Sequence, residues 1–132
     1  MEHNKEKIWP ETHNVDGSEV KPDELAGALE TVAKWVNHTG HQKGFWDPHI
    51  DHSVSTKLMK IMGELAQGFE ELRCGERTSD KIPGHTEFEE ELADAVILIL
   101  DLAHERGYDL GAAIVSKAFF NERRPRLHGK AF

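Results

Sequence analysis

A single cysteine, Cys74, stands in a chain of 132 residues. No disulfide can form within one copy, and a reducing compartment, the cytoplasm, is the expected location. Long apolar runs are missing as well. The longest unbroken one, Ala95 to Leu100, is too short to cross a bilayer, and the N-terminal residues hold no apolar signal core. A soluble protein with no membrane partner is expected. Positive charge is scarce: 16 basic residues face 24 acidic ones, a formal net charge of −8. That balance argues against nucleic acid held on a basic face. A small phosphorylated substrate would need a metal ion between itself and this protein. There is no glycine-rich phosphate loop, and no serine or cysteine is paired with a histidine and an orienting acid, so nucleophilic catalysis has no support. Internal repeats and low-complexity tracts are absent too. The length suits one modest domain.

What is present is organised around Thr86 to Arg106. Thr86 followed by Glu89 forms a capping box, Glu87 and Glu90 add negative charge near a helix N-terminus, and Gly107 closes the segment. These ends predict a helix of about five to six turns. From Leu92 to Leu100 every residue except Asp94 is apolar, so the helix has no side fit for solvent and should be surrounded. A helix buried all round is hard to cover in a small monomer, which points to an oligomer. Asp94 then sits in apolar surroundings, with Glu91 three residues before it and Asp101 seven after it on one face. Carboxylates held this way repel, so one stays protonated or a cation sits between them.

The other elements follow from spacing. Residues 1–20 are polar, with a turn-like Asp16-Gly17, and read as an N-terminal arm that Ile8 and Trp9 would dock; residues 21–132 read as a helical domain. Leu25, Leu29, Val32 and Val36 predict a helix from Pro22 to about Gly40. A second helix is expected from Val54 to Arg73, capped by Ser53 or Ser55, with Leu58, Ile61, Leu65, Phe69 and Leu72 as its apolar stripe. Asp109 is a suitable cap for a fourth helix over 110–123, which Pro125 stops. The connection over 38–53 carries two His-x-x-His spacings, His38/His41 and His49/His52. Without cysteines these read as solvated histidines rather than zinc ligands. It also carries Phe45-Trp46, either a satellite core contact or a lid over a planar ligand.

Four helices with connections of mixed length predict an all-α bundle, in which inward acids on facing helices build metal sites. Glu64 and Gln67 on the second helix would face Glu91 and Asp94 on the third, an oxygen set that suits Mg²⁺ or Mn²⁺. Lys117, Asn121 and Arg124 share one face of the last helix, with Arg126 and Lys130 beyond it. They either satisfy a helix C-terminus or bind phosphate, with Asn121 free for a sugar or base.

Taken together, three strings and an ending resemble a known family. The strings are Lys43-Gly-Phe-Trp-Asp47, Ile61-Met-Gly-Glu-Leu-Ala-Gln-Gly-Phe-Glu-Glu-Leu-Arg73 and Glu90-Glu-Leu-Ala-Asp-Ala-Val-Ile-Leu-Ile-Leu-Asp101. The ending is Asp109-Leu-Gly-Ala-Ala-Ile, Lys117, Asn121, Arg124-Pro125 and His128-Gly-Lys130. Over about residues 30 to 132 the chain is similar to MazG-like nucleotide pyrophosphohydrolases of the all-α dUTPase/MazG superfamily. The resemblance implies a four-helix-bundle-like fold completed by assembly into a homodimer or homotetramer. It also implies Mg²⁺-dependent cleavage of nucleoside triphosphates to a monophosphate and pyrophosphate.

The family's metal motif is Glu-x-x-Glu on one helix and Glu-x-x-Asp on the next. Glu64, Glu91 and Asp94 match it and take the catalytic and metal-binding roles. Gln67 stands where the family has a second glutamate, and Met62-Gly63 where a His-Ser is frequent. A glutamine lends a carbonyl oxygen but no charge, and it cannot act as a general base. Substrate contacts would come from Trp46, Lys117, Asn121, Arg124 and Lys130. Two rival readings stand beside the enzyme: a catalytically weakened or non-catalytic nucleotide-binding module, and a structural helical protein with solvated acids.

Overall fold

The computed structural model describes residues 9–132; Ile8, expected to help dock the arm, lies outside the described residues. Four helices carry the described chain: Pro22–Gln42 (α1), Val54–Arg73 (α2), Glu87–Glu105 (α3) and Leu110–Glu122 (α4). The molecule is predominantly α-helical, and no helix among the described residues is long and apolar enough to cross a membrane.

Helix ends follow the local chemistry. At α2, Ser53 Oγ accepts from the Thr56 amide at 3.3 Å, while Asp51 takes the Ser53 amide at 2.8 Å and the Thr56 hydroxyl at 2.7 Å. Those hydrogen bonds hold the Asp51 carboxyl down at about 2. At α3 the capping box is complete: Thr86 Oγ1 accepts from the Glu89 amide at 3.1 Å, and Glu89 accepts from the Thr86 amide at 2.7 Å. Asp109 caps α4 through the Ala112 amide.

Ahead of α1, within the arm whose order the sequence left open, an antiparallel hairpin forms from His13–Val15 (β1) and Ser18–Val20 (β2), with Val15 opposite Ser18. Its two-residue loop has positive φ at both positions, 48° at Asp16 and 81° at Gly17. That handedness matches the twist of paired strands and suits an Asp-Gly loop. Strands of three residues are too short to show alternation in sequence.

The described residues fall into two compact units, divided inside α1. One unit comprises the described residues up to Thr31 together with Asp109–Phe132. In it Trp9 donates to Asp23 at 2.9 Å, and the His13 ring lies 4.5 Å from that of Phe119. Gly111 lets α4 approach α1 closely: a Cβ there would lie 2.5 Å from the Ala26 carbonyl oxygen.

The other unit is Val32–Tyr108, in which α3 packs along α2. Gly68 sits at that crossing, where a Cβ would come within 3.3 Å of Glu91 Cβ. Ile61, Ala95 and Leu102 form the buried cluster, with Trp46 and Leu98 packed against it. The apolar stripe expected to be the core face of α2 is mostly open: Leu58, Leu65, Phe69 and Leu72 are exposed, Phe69 by 61%. The face turned inward instead carries Lys57, Ile61 and Gly68. Nor is α3 buried on every side. Leu92, Val96, Ile97 and Ile99 are exposed, Val96 by 53%.

Candidate metal and ligand site

On the inward side of α2 and α3, Glu64, Glu91 and Asp94 come together. One carboxylate oxygen from each lies within 4.8 Å of the others, and all three side chains are half-buried. Helix periodicity explains the convergence. Glu91 and Asp94 share a face of α3, and Glu64 lies one turn before Gly68, where the two helices come closest. The cost of the cluster is electrostatic. Burial pushes the Glu91 carboxyl up to about 7, and a hydrogen bond with Glu64 and the charges of Glu64, Asp94 and Glu90 add to the rise. Asp94 is raised as well, by burial first and then by Glu64 and Glu90, with Lys81 pulling the other way. Three hard oxygen donors that destabilise one another when ionised could hold a cation.

Gln67 lines the same cavity, with its amide nitrogen donating to Glu71 at 2.9 Å. Asp101 is not a fourth member of the cluster. It is buried two turns further along α3, where its Oδ1 accepts from Asn37 at 2.9 Å and from the Trp46 indole at 3.0 Å. Its Oδ2 accepts from the same indole at 3.1 Å. This partnership holds Trp46 as a wall. The ring packs on the core, with Lys57 Nζ 4.0 Å from its centroid and the His41 and His52 rings at 6.0 and 5.2 Å. His41, in the last turn of α1, pairs with Glu105 at 2.6 Å, and His52 Nε2 meets the Asp47 carbonyl at 2.7 Å.

A cavity of about 730 Å³ joins these groups, with the carboxylates and Trp46 on its walls. No family model, curated protein or solved structure matches this chain. The site is therefore read from its own geometry and chemistry.

Three cations also line the cavity: Lys57, Lys60 and Lys81. Lys81 reaches in from the loop between α2 and α3. That loop is tied down by Ser79, whose hydroxyl donates to Glu90 and accepts from the amides of Lys81 and Ile82. The Lys81 ammonium pairs with Glu90 at 2.9 Å. Lys57 had a sequence signal that hydropathy hides: it falls four residues before Ile61 and seven before Glu64, on the functional face. The remaining expected substrate residues, Lys117, Asn121, Arg124 and Lys130, belong to the unit that contains α4. There Lys117 and Arg124 lie 4.5 and 5.6 Å from the Phe120 ring, and Asn121 Oδ1 is buried without a partner.

Proposed function

We propose that this chain is a Mg²⁺-dependent nucleoside triphosphate pyrophosphohydrolase of the MazG-like kind its motifs resemble. The observation that carries the reading is the meeting of Glu64, Glu91 and Asp94 on the wall of a cavity that also holds three lysines. Glu64, Glu91 and Asp94 would hold the ion, and Gln67 Oε1 is a neutral donor beside them. When bound, Mg²⁺ supplies charge neutralisation for the phosphates and a more acidic water. The chain's own part is to hold the triphosphate in one orientation and to place ammonium groups where charge develops. Lys81 would be one such group, since its charge is felt by Asp94. The assignment of Lys117, Asn121, Arg124 and Lys130 to substrate binding rests on the resemblance.

Assembly belongs to the same proposal. The apolar side chains left open on α2 and α3 are the faces that a second copy would cover, completing a bundle as a dimer or tetramer. Pyrophosphate release from a panel of nucleoside triphosphates, with Mg²⁺ and with chelator, tests the activity. Mg²⁺-dependent release supports the enzyme. Thermal stabilisation by triphosphates without release would favour the binding module that a neutral Gln67 allows.

A further inference from the structure

Lys57 is 8% exposed and lies inside the cavity wall. Its ammonium makes one long hydrogen bond, to the Phe45 carbonyl at 3.4 Å, and rests on the Trp46 ring. An ammonium has three donors, so two are left for whatever enters. Buried charge this poorly satisfied is costly, and an acceptor from a ligand relieves it. Asp101 meets the same indole from the other helix, and its Oδ2 accepts only from Trp46. Lys57 and Asp101 both line the cavity, one over the face of the Trp46 ring and the other at its N–H edge.

Both groups are set apart from the carboxylate cluster. Lys57 precedes Glu64 by seven residues on α2, and Asp101 follows Asp94 by seven on α3, each about 10 Å along its helix. A phosphate at this far end would meet the Asp101 carboxylate, which disfavours it. A neutral planar group offering N–H next to C=O fits both sides.

We propose that Lys57 and Asp101 read the lactam edge of a nucleobase, Asp101 Oδ2 accepting the ring N–H and Lys57 Nζ donating to the adjacent carbonyl. The inference rests on the nucleotide reading above, with phosphates at Glu64, Glu91 and Asp94. It assigns the substrate class as nucleotides of uracil, thymine, guanine or hypoxanthine. Adenine and cytosine present the reverse order, an acceptor at the ring nitrogen and an amino donor beside it, so with the phosphates held they meet Asp101 and Lys57 only by shifting across that edge.

The test is equilibrium binding of non-hydrolysable α,β-imido triphosphates to the full chain with Mg²⁺. Uracil and guanine analogues should bind at least about tenfold more tightly than adenine and cytosine analogues, the usual worth of a charge-assisted hydrogen bond. Methylation at uracil N3 should remove that advantage. Lys57→Met should lower uracil affinity more than adenine affinity, so that the preference between the bases is lost. Equal affinity for all bases overturns the proposal and leaves the nucleotide reading standing. A preference that survives in Lys57→Met overturns it too. Absence of binding by every analogue overturns both. Should Lys57→Met not fold, the N3-methyl comparison on the unaltered chain decides.

Discussion

Asp94 is where the constraints on single residues are tightest. Burial and the neighbouring Glu64 and Glu90 charges oppose its ionisation, yet it stands within the apolar stretch of α3. Asp94→Asn should abolish Mg²⁺-dependent turnover while leaving metal-free stability equal or higher, since one repelling charge is gone. Near-normal turnover in that variant would remove Asp94 from the metal site. Glu91 makes the pH dependence specific. Its folded pKa of about 7 exceeds its ordinary 4.5, so the folded chain binds more protons than the unfolded one between those values. In chelator, its contribution to stability is therefore lost as pH rises from about 4.5 to about 7. Glu91→Gln should flatten that slope and raise stability at about pH 8 by on the order of 1–3 kcal/mol. Urea titrations in chelator at several pH values check this, and an unaltered slope counts against the cluster. Gln67→Glu tests the departure from the family motif. The added charge should destabilise the metal-free protein, and Mg²⁺ should restore more stability than in the unaltered chain. Unchanged stability in both buffers would mean that position 67 does not feel the cluster.

At the scale of elements, all four helices were legible because their ends are chemical. Ser53, Thr86 and Asp109 accept the first amides of α2, α3 and α4 as their side chains allow. Which face of α2 turns inward was not legible. Hydropathy favours Leu58, Leu65, Phe69 and Leu72, yet the buried positions are Lys57, Ile61 and Gly68. A stripe containing a lysine and a glycine reads as surface, although those residues serve a ligand cavity and a close helix crossing. Close approach is testable at Gly111, which a helix-propensity scale would have replaced by alanine with profit. Gly111→Ala should instead destabilise by about 1–3 kcal/mol, because the new methyl meets the Ala26 carbonyl and the helices must part. A thermal melt equal to or above that of the unaltered chain would show that α1 and α4 yield there at no cost.

For the whole molecule, the telling feature is apolar surface left open on helices that also build the site. Met59, Met62 and Phe69 on α2 are exposed, as are Leu92, Val96 and Ile99 on α3. Light scattering at micromolar concentration should give the mass of a dimer or tetramer, and Val96→Glu should shift it toward monomer. A well-folded monomer in the unaltered chain would defeat the assembly proposal.

The sequence alone determined the helical class, the helix limits and the placing of Glu91 and Asp94 on one face of α3, because capping and period are local properties. It marked Asp16-Gly17 as a turn without revealing the strands, since three-residue strands carry no period. Tertiary structure alone decided that Asp101 leaves the acid set for Trp46 and Asn37, and that Trp46 is thereby held as a wall. It also decided that Lys57, Lys60 and Lys81 share the cavity with the carboxylates. These outcomes depend on which atoms from distant segments come within hydrogen-bonding reach, and spacing along one helix carries no record of what the next helix brings to meet it.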